Sequence, residues 1–379
     1  MFLNLYINRY LGDMLPIMPL VGLLLHDRGF SLGDISLFFL FMAVTVLLFE
    51  IPFGVLADKT NTRLVIILSR LAKLVAFIFL LIAYTKFSIT LAAVCWGMAS
   101  ALDSGAIQSY TYSLTYAKKG ALNFQAVYGR LFTSSLLGLL TAGLIASQVE
   151  RLGFDYIQYI GIFALLLCLV SAMLLPKVKE VENDDVSKQK INIKTFATHP
   201  ALLTALLIGI FAGGVKGSLD EYTALLLAAK GLSYGFIGYI LFGLEIMKTL
   251  GGSVASKFKI EIRGQLNVLL LVGLAFIGVF YGNYLITISL LILVLFFDSI
   301  LWVNNDVLIQ ENAPDSYRST IASVKNFGIE LLAAVCFLAA WVFPDIDWDV
   351  GYLYIIGGSV LVLVSLVLNI RSWGVKDLE

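Results

Sequence analysis

The chain has 379 residues, of which 59% are hydrophobic and only 14% charged, and its 26 Lys and Arg balance its 26 Asp and Glu. A soluble globular domain carries about 25% charge, so this composition belongs to an integral membrane protein; the zero net charge offers no footprint for a nucleic-acid partner. The three cysteines, Cys95, Cys168 and Cys336, lie far apart in apolar runs without disulfide or zinc spacing, and read as packing residues.

Runs of about 20 apolar residues can cross a bilayer as helices. Twelve are expected, over residues 2–25, 33–57, 64–85, 88–114, 126–149, 157–175, 200–228, 234–256, 265–281, 284–309, 318–342 and 350–370. The first begins at Phe2 and holds Arg9 and Asp13 with no basic leader, so it reads as a span and not as a cleaved signal. The one long polar stretch, 176–199, separates a six-helix bundle at 1–175 from a second at 200–379. With the N-terminus in the cytoplasm, fifteen Lys and Arg fall in the inner loops and tail against four in the outer loops. This bias expects both termini and the linker in the cytoplasm.

Charges repeat between the halves. Glu50 and Glu245, Asp103 and Asp298, and Arg130 and Lys325 are each 195 positions apart, while Arg9/Asp13 and Lys216/Asp220 keep their i, i+4 spacing at an offset of 207. Intramembrane charge is costly and marks function by default; its recurrence at one offset marks parallel repeats. The fold class expected is an all-α membrane protein of twelve transmembrane helices in two parallel six-helix pseudo-repeats. Spans 2–6 then align with spans 8–12 almost without gaps, and a longer first outer loop at His26–Gly33 with a helix extension absorbs the difference around spans 1 and 7.

The loop after span 2 reads Gly54-Val55-Leu56-Ala57-Asp58-Lys59-Thr60-Asn61-Thr62-Arg63. It resembles the G-x-L-A-D-[RK]-x-G-[RK]-[RK] motif of the major facilitator superfamily. Asn61 stands where that family has a turn glycine, and Asn is the next residue to tolerate positive φ. Phe49 to Gly54, Ser104-Gly105-Ala106 and Asn312-Ala313-Pro314 are similar to a bacterial, efflux-like or uncharacterised branch. Gly129 and Gly138 keep the first spacing of the family's span 5 antiporter motif, but no proline follows, and small residues that let helices approach suffice to explain them. The resemblance implies that spans 1, 4, 7 and 10 line a central cavity and that Gly54, Asp58 and Arg63 serve conformational change. It also implies that span 2 meets span 11 and span 5 meets span 8. That contact would pair Glu50 with Lys325 and Arg130 with Glu245 as gates, the alternative being pairs within each half.

Each of spans 1, 4, 7 and 10 carries a carboxylate: Asp13, Asp103, Asp220 beside Glu221, and Asp298. At helical spacing, Asp103 shares a face with Trp96 and Tyr110, and Asp298 shares one with Trp302 and Asn305. Carboxylates beside aromatic rings suit a cationic or zwitterionic solute, and dehydrated carboxylates suit proton coupling. Arg9 and Lys216 either complete that site or only neutralise their i+4 partners. His26 and His199 lie at membrane edges and read as surface residues.

These features point to a secondary active transporter, with no ATP as direct fuel and no cofactor, that couples protons to movement of a small organic solute. Export is favoured, with uptake symport of a nutrient or siderophore-like compound as the alternative. The partners expected are solute, protons and lipid; the state expected is a monomer in a bacterial inner membrane. No hydrolase, nucleotide-binding or metal motif supports an enzyme, and a mixed-charge duplicated chain does not build a channel's ring of like charges.

Overall fold

A computed structural model describes residues 2–59, 61–103, 106–117, 124–178, 200–255, 257–313, 318–342 and 350–373. The linker expectation at 176–199 therefore lies largely outside the described residues. In chain order the helices are α1 (Phe2–Asp13), a short 3₁₀ turn (Met18–Leu20), α2 (Val21–Asp27), α3 (Leu32–Lys59), α4 (Thr62–Leu81), α5 (Lys86–Asp103), α6 (Ala106–Ala117), α7 (Phe124–Ala146), α8 (Val149–Leu152) and α9 (Phe154–Met173). They continue with α10 (Pro200–Asp220), α11 (Thr223–Ala229), α12 (Tyr234–Ala255), α13 (Ile262–Tyr281), α14 (Tyr284–Asn312), α15 (Arg318–Val342) and α16 (Gly351–Trp373). Contacts divide the chain into two compact units, residues 1–189 with 234–239 and residues 190–233 with 240–379.

Among the described residues, eleven helical stretches are long and apolar enough to cross a membrane. The twelfth expected span, 2–25, is broken into α1, the 3₁₀ turn and α2. Pro16 and Pro19 cause the break: proline has no N–H to donate and disfavours helix in the residue before it. The seventh span breaks at the corresponding place, between α10 and α11. Both broken helices end on an echoed aspartate, Asp13 or Asp220, which places a carboxylate at an open helix end inside each span.

Within the first unit α1 packs on α7 and α9, and α4 on α5 and α9. Within the second, α10 packs on α15 and α16, and α13 on α14 and α16. These are the same pairs of spans, as parallel repeats require. The helix surfaces are strongly apolar outward: Ile51, Phe87 and Ile370 are more than two-thirds exposed, which is stable only against lipid.

The expected helix extension is present, in α3, but the other extra residues are not in the first outer loop. α2 and α11 end alike, with Gly29 (φ 85°) and Gly231 (φ 84°) in the left-handed region. Phe30 N–H bonds to Leu25 O and Leu232 N–H to Leu227 O, the helix-closing pattern that glycine permits. From these glycines the next helix starts three residues on in both cases, at Leu32 and Tyr234. The surplus lies elsewhere. Asp13 precedes Gly29 by sixteen positions and Asp220 precedes Gly231 by eleven, so five residues sit in the proline break. Glu50 follows Leu32 by eighteen positions and Glu245 follows Tyr234 by eleven, so seven sit inside α3. Seven residues are about two turns, which keeps Glu50 on its face. Likewise α4 and α13, twenty residues each, are 200 positions apart and not 195.

Asn61 corrects the motif reading. Its φ is −63° and ψ 115°, and its side chain accepts a hydrogen bond from Arg63 N–H at the start of α4. It is a helix N-cap and not a left-handed turn residue. Asn61→Ala will therefore lower stability by about 0.5–2 kcal/mol while Asn61→Gly costs only a few tenths. Thermal unfolding of the two variants in detergent checks this; a gain from glycine would restore the positive-φ reading.

Close approach explains Gly138. A Cβ there would collide with the Tyr10 carbonyl of α1, whereas nothing lies within 4 Å of a Cβ at Gly129. Gly138→Val is expected to eliminate folded protein and Gly129→Ala to leave it intact, as size-exclusion profiles of the two variants will show. A monodisperse Gly138→Val peak would contradict the α1–α7 packing.

Candidate functional site

In the first unit five charged side chains from α1, α4 and α5 come together. Arg9 of α1 places Nε 3.0 Å from Asp13 Oδ2 and Nη1 3.4 Å from Asp103 Oδ2. The intrahelical pair is thus not closed on itself. Asp103 also has Arg70 Nη2 of α4 at 3.1 Å. That approach is an ion pair without hydrogen-bond alignment, since neither atom has a bonded partner. Arg70 is only 2% exposed. Its Nε donates to Asn8 Oδ1 at 3.2 Å, and Asn8 Nδ2 donates to the Cys168 carbonyl at 2.8 Å and to Ser171 Oγ at 2.9 Å. Lys73, one turn on from Arg70, donates to the Gly12 carbonyl at 3.0 Å. A cation there satisfies the carbonyl end of α1 that the proline break leaves open.

Ser135 of α7 donates to Asp13 Oδ2 at 2.5 Å. Beside it opens a cavity of about 400 Å³, whose wall includes Arg9, Asp13, Asp103, Tyr128, Phe132 and Ser135. The cavity therefore offers a guanidinium, two carboxylates, a hydroxyl and two aromatic rings.

The second unit repeats the central pattern with one cation. Lys216 Nζ lies 2.6 Å from Asp220 and 3.6 Å from Asp298. Glu221 stands next, in the turn between α10 and α11. Asn305 is buried and donates to the Ala205 carbonyl at 2.8 Å and to Gln265 Oε1 at 3.2 Å. Trp302 does not turn to Asp298: the Lys325 ammonium sits 4.1 Å from its ring centre and 2.6 Å from Asp306.

Some residues picked from sequence are not brought to these clusters. Tyr110 is fully buried in the first unit's core, against Leu5, Val65 and Leu131, and its hydroxyl donates to the Pro176 carbonyl at 2.8 Å. It packs the bundle and does not line the cavity. Of the gate residues, Lys325 is engaged with Asp306 of its own unit, and Glu245 has Lys248 at 3.7 Å one turn along α12. Glu50 is half-buried and Arg130 exposed. The Arg63 guanidinium donates to the Met173 carbonyl, which ties the start of α4 to the end of α9. Gly54 lies in α3 with open space around it, and the Asp58 side chain lies outside the described residues.

Sequence reasoning passed over Arg70, Lys73, Asn8, Ser135 and Asp306. A signal existed for the first two. They are basic residues inside an apolar span, and they lack an echo because α13, the counterpart of α4, carries only Arg263.

The sequence model of the Major Facilitator Superfamily matches residues 2–337. An uncharacterised transporter of that type, YxaM of Bacillus subtilis, is 21% identical over 335 residues, which cover 84% of this chain and 83% of the relative. The quinolone resistance protein NorA of Staphylococcus aureus is 24% identical over 251 residues, covering 63% of each chain. Among solved structures, the nucleoside transporter NupG is similar with a TM-score of 0.77 at 15% identity, over 97% of this chain and 98% of that one. A POT family transporter bound to a thioalcohol-conjugated peptide has a TM-score of 0.76 at 13% identity, over 98% and 95%. These two likenesses concern the fold, and it is the twelve-span fold built here from two repeats of the same helix pairs. The chain belongs to the Major Facilitator Superfamily.

Proposed function

We propose that this transporter moves a small polar organic solute, cationic or zwitterionic, by alternating access coupled to protons, with export as its working direction. The observation that carries this reading is the mixed-charge cavity of the first unit, where Arg9, Asp13 and Asp103 stand beside Tyr128 and Phe132. Such a wall offers ion pairing and aromatic contact together. Inward-facing charge in a span is the usual mark of a solute or proton path. The name of the Staphylococcus aureus relative, a quinolone resistance protein, supports export. Asp13, Asp103, Asp220, Glu221, Asp298, Arg9 and Lys216 are the residues assigned to solute and protons. Glu50, Arg130, Glu245, Lys325, Gly54, Asp58 and Arg63 are assigned to the conformational cycle.

The test uses purified protein in proteoliposomes with an imposed pH gradient. A quinolone, an aromatic amino acid and a quaternary ammonium dye are added in turn, and the gradient is followed with a pH-sensitive dye. Addition of a transported solute will dissipate the gradient only in vesicles that contain the protein. If no member of the panel moves protons or accumulates, the proton-coupled reading fails.

A further inference from the structure

The two echoed clusters differ in charge balance. In the second unit one cation, Lys216, faces two carboxylates, Asp220 and Asp298. In the first unit three cations, Arg9, Arg70 and Lys73, face two, Asp13 and Asp103. Lys73 lies one turn from Arg70 on α4 and reaches the last turn of α1, so three cations and two carboxylates stand together with one cation in excess. The surplus comes from α4: its counterpart α13 has Arg263 in its first turn and no cation beyond it.

Where that surplus can be answered is set by burial. Arg70 is sealed at 2% exposure. Lys73 is turned to the end of α1. Arg9 alone of the three lies in the cavity wall, with its side chain 31% exposed. Its guanidinium is divided between two carboxylates, Nε to Asp13 at 3.0 Å and Nη1 to Asp103 at 3.4 Å, which leaves Nη2 outside both contacts. A guanidinium has five donors in a planar fork and takes an oxyanion through two of them. Tyr128 and Phe132 line the same space and suit an apolar or aromatic body beside that anion.

We infer that the first-unit cavity binds the acid group of the solute on Arg9, so that the transported class is a zwitterion with an apolar body, and not a simple cation. This rests on the transporter reading and narrows it. The source of selectivity is the excess cation supplied by α4, which a carboxylate or other oxyanion neutralises and an ammonium group aggravates.

The experiment reads the sign of the cavity and needs no transported solute. Gln108, on the cavity wall and exposed, is changed to cysteine in full-length protein whose Cys95 and Cys336 are replaced by serine. The buried Cys168 is kept. The rate of labelling by anionic sulfonatoethyl methanethiosulfonate is divided by that of the cationic trimethylammonioethyl reagent. The quotient is normalised to the same quotient for a free thiol in water. The normalised ratio is expected to favour the anion on the order of tenfold, the low end of focusing by a one-signed cleft. Arg9→Lys will keep most of that preference and Arg9→Gln will lose it. A ratio at or below one overturns the inference, as does a ratio that Arg9→Gln leaves unchanged or a cysteine that neither reagent reaches. Because labelling is independent of transport, a tenfold ratio with no proton-coupled flux would fail the transport reading alone. Flux with an inverted ratio would fail this inference alone.

Discussion

Arg70→Met will lower the stability of the protein by about 3–5 kcal/mol, the cost of removing one member of a buried ion pair. The protein as a whole holds only about 5–15 kcal/mol against unfolding, so the loss will be visible as poor yield and a low unfolding temperature. The cause is what Arg70 leaves behind. Asp103 would keep only Arg9, at 3.4 Å, and Asn8 Oδ1 would lose its donor. Through Asn8 the same guanidinium reaches the α9 backbone at Cys168, so α1, α4, α5 and α9 are tied at one point. Arg70→Lys will be intermediate, because an ammonium can stay with Asp103 but has no fork with which to hold Asn8 as well. Arg70→Met with Asp103→Leu will recover much of the lost stability, since a pair replaced by apolar groups leaves no stranded charge. Thermal unfolding of the four proteins in detergent decides the matter. A single variant within 1 kcal/mol of wild type, or a double variant worse than the single, would show that the network does not hold the bundle.

The sequence made visible what stands out against an apolar background. Twelve spans, two repeats and six of the eight carboxylates and cations of the two clusters could be read because a charge in a lipid-length run has no other explanation. Arg70 and Lys73 stand out in the same way, but weighting the charges by their echo hid them, and the echo is absent where the two units differ in charge. Helical spacing names a face but not what covers it. Tyr110 is seven positions after Asp103, yet it goes into the core against Leu5, Val65 and Leu131. Spacing along one helix also cannot reveal a partner on another. Trp302 lies four positions after Asp298, yet its ring is covered by Lys325 of α15. The shifting offsets of the repeat were masked for a different reason. The insertions in the break of span 1 and in α3 fall between the charged landmarks, and the second of them is about two turns long, which leaves the helical face unchanged.

The unequal clamping of the two echoed aspartates separates their expected roles. Asp103 is held by two guanidinium groups, at 3.1 and 3.4 Å, and cannot take a proton without giving up both. Among the described residues Asp298 has one ion-pair partner, Lys216, at 3.6 Å, and that ammonium is closer to Asp220 at 2.6 Å. Of the two, Asp298 is the one that can exchange its proton with little rearrangement. Asp298→Asn will therefore reduce gradient-driven transport by about a hundredfold or more, the lower end of effects from losing a positioned proton-transfer group. It will change stability little, because the amide has the same size and Lys216 keeps Asp220. Asp103→Asn will do the reverse in kind. It strands the buried Arg70 without its anion, so its main effect is lowered stability, about 3–5 kcal/mol by the same argument as above. Proton movement in proteoliposomes, set beside unfolding temperature for both variants, separates the two outcomes. If Asp298→Asn still moves protons with its solute at the wild-type rate, Asp298 is not the coupling group. The echo would then be a structural repeat only, with each aspartate serving to hold the cation of its own broken helix.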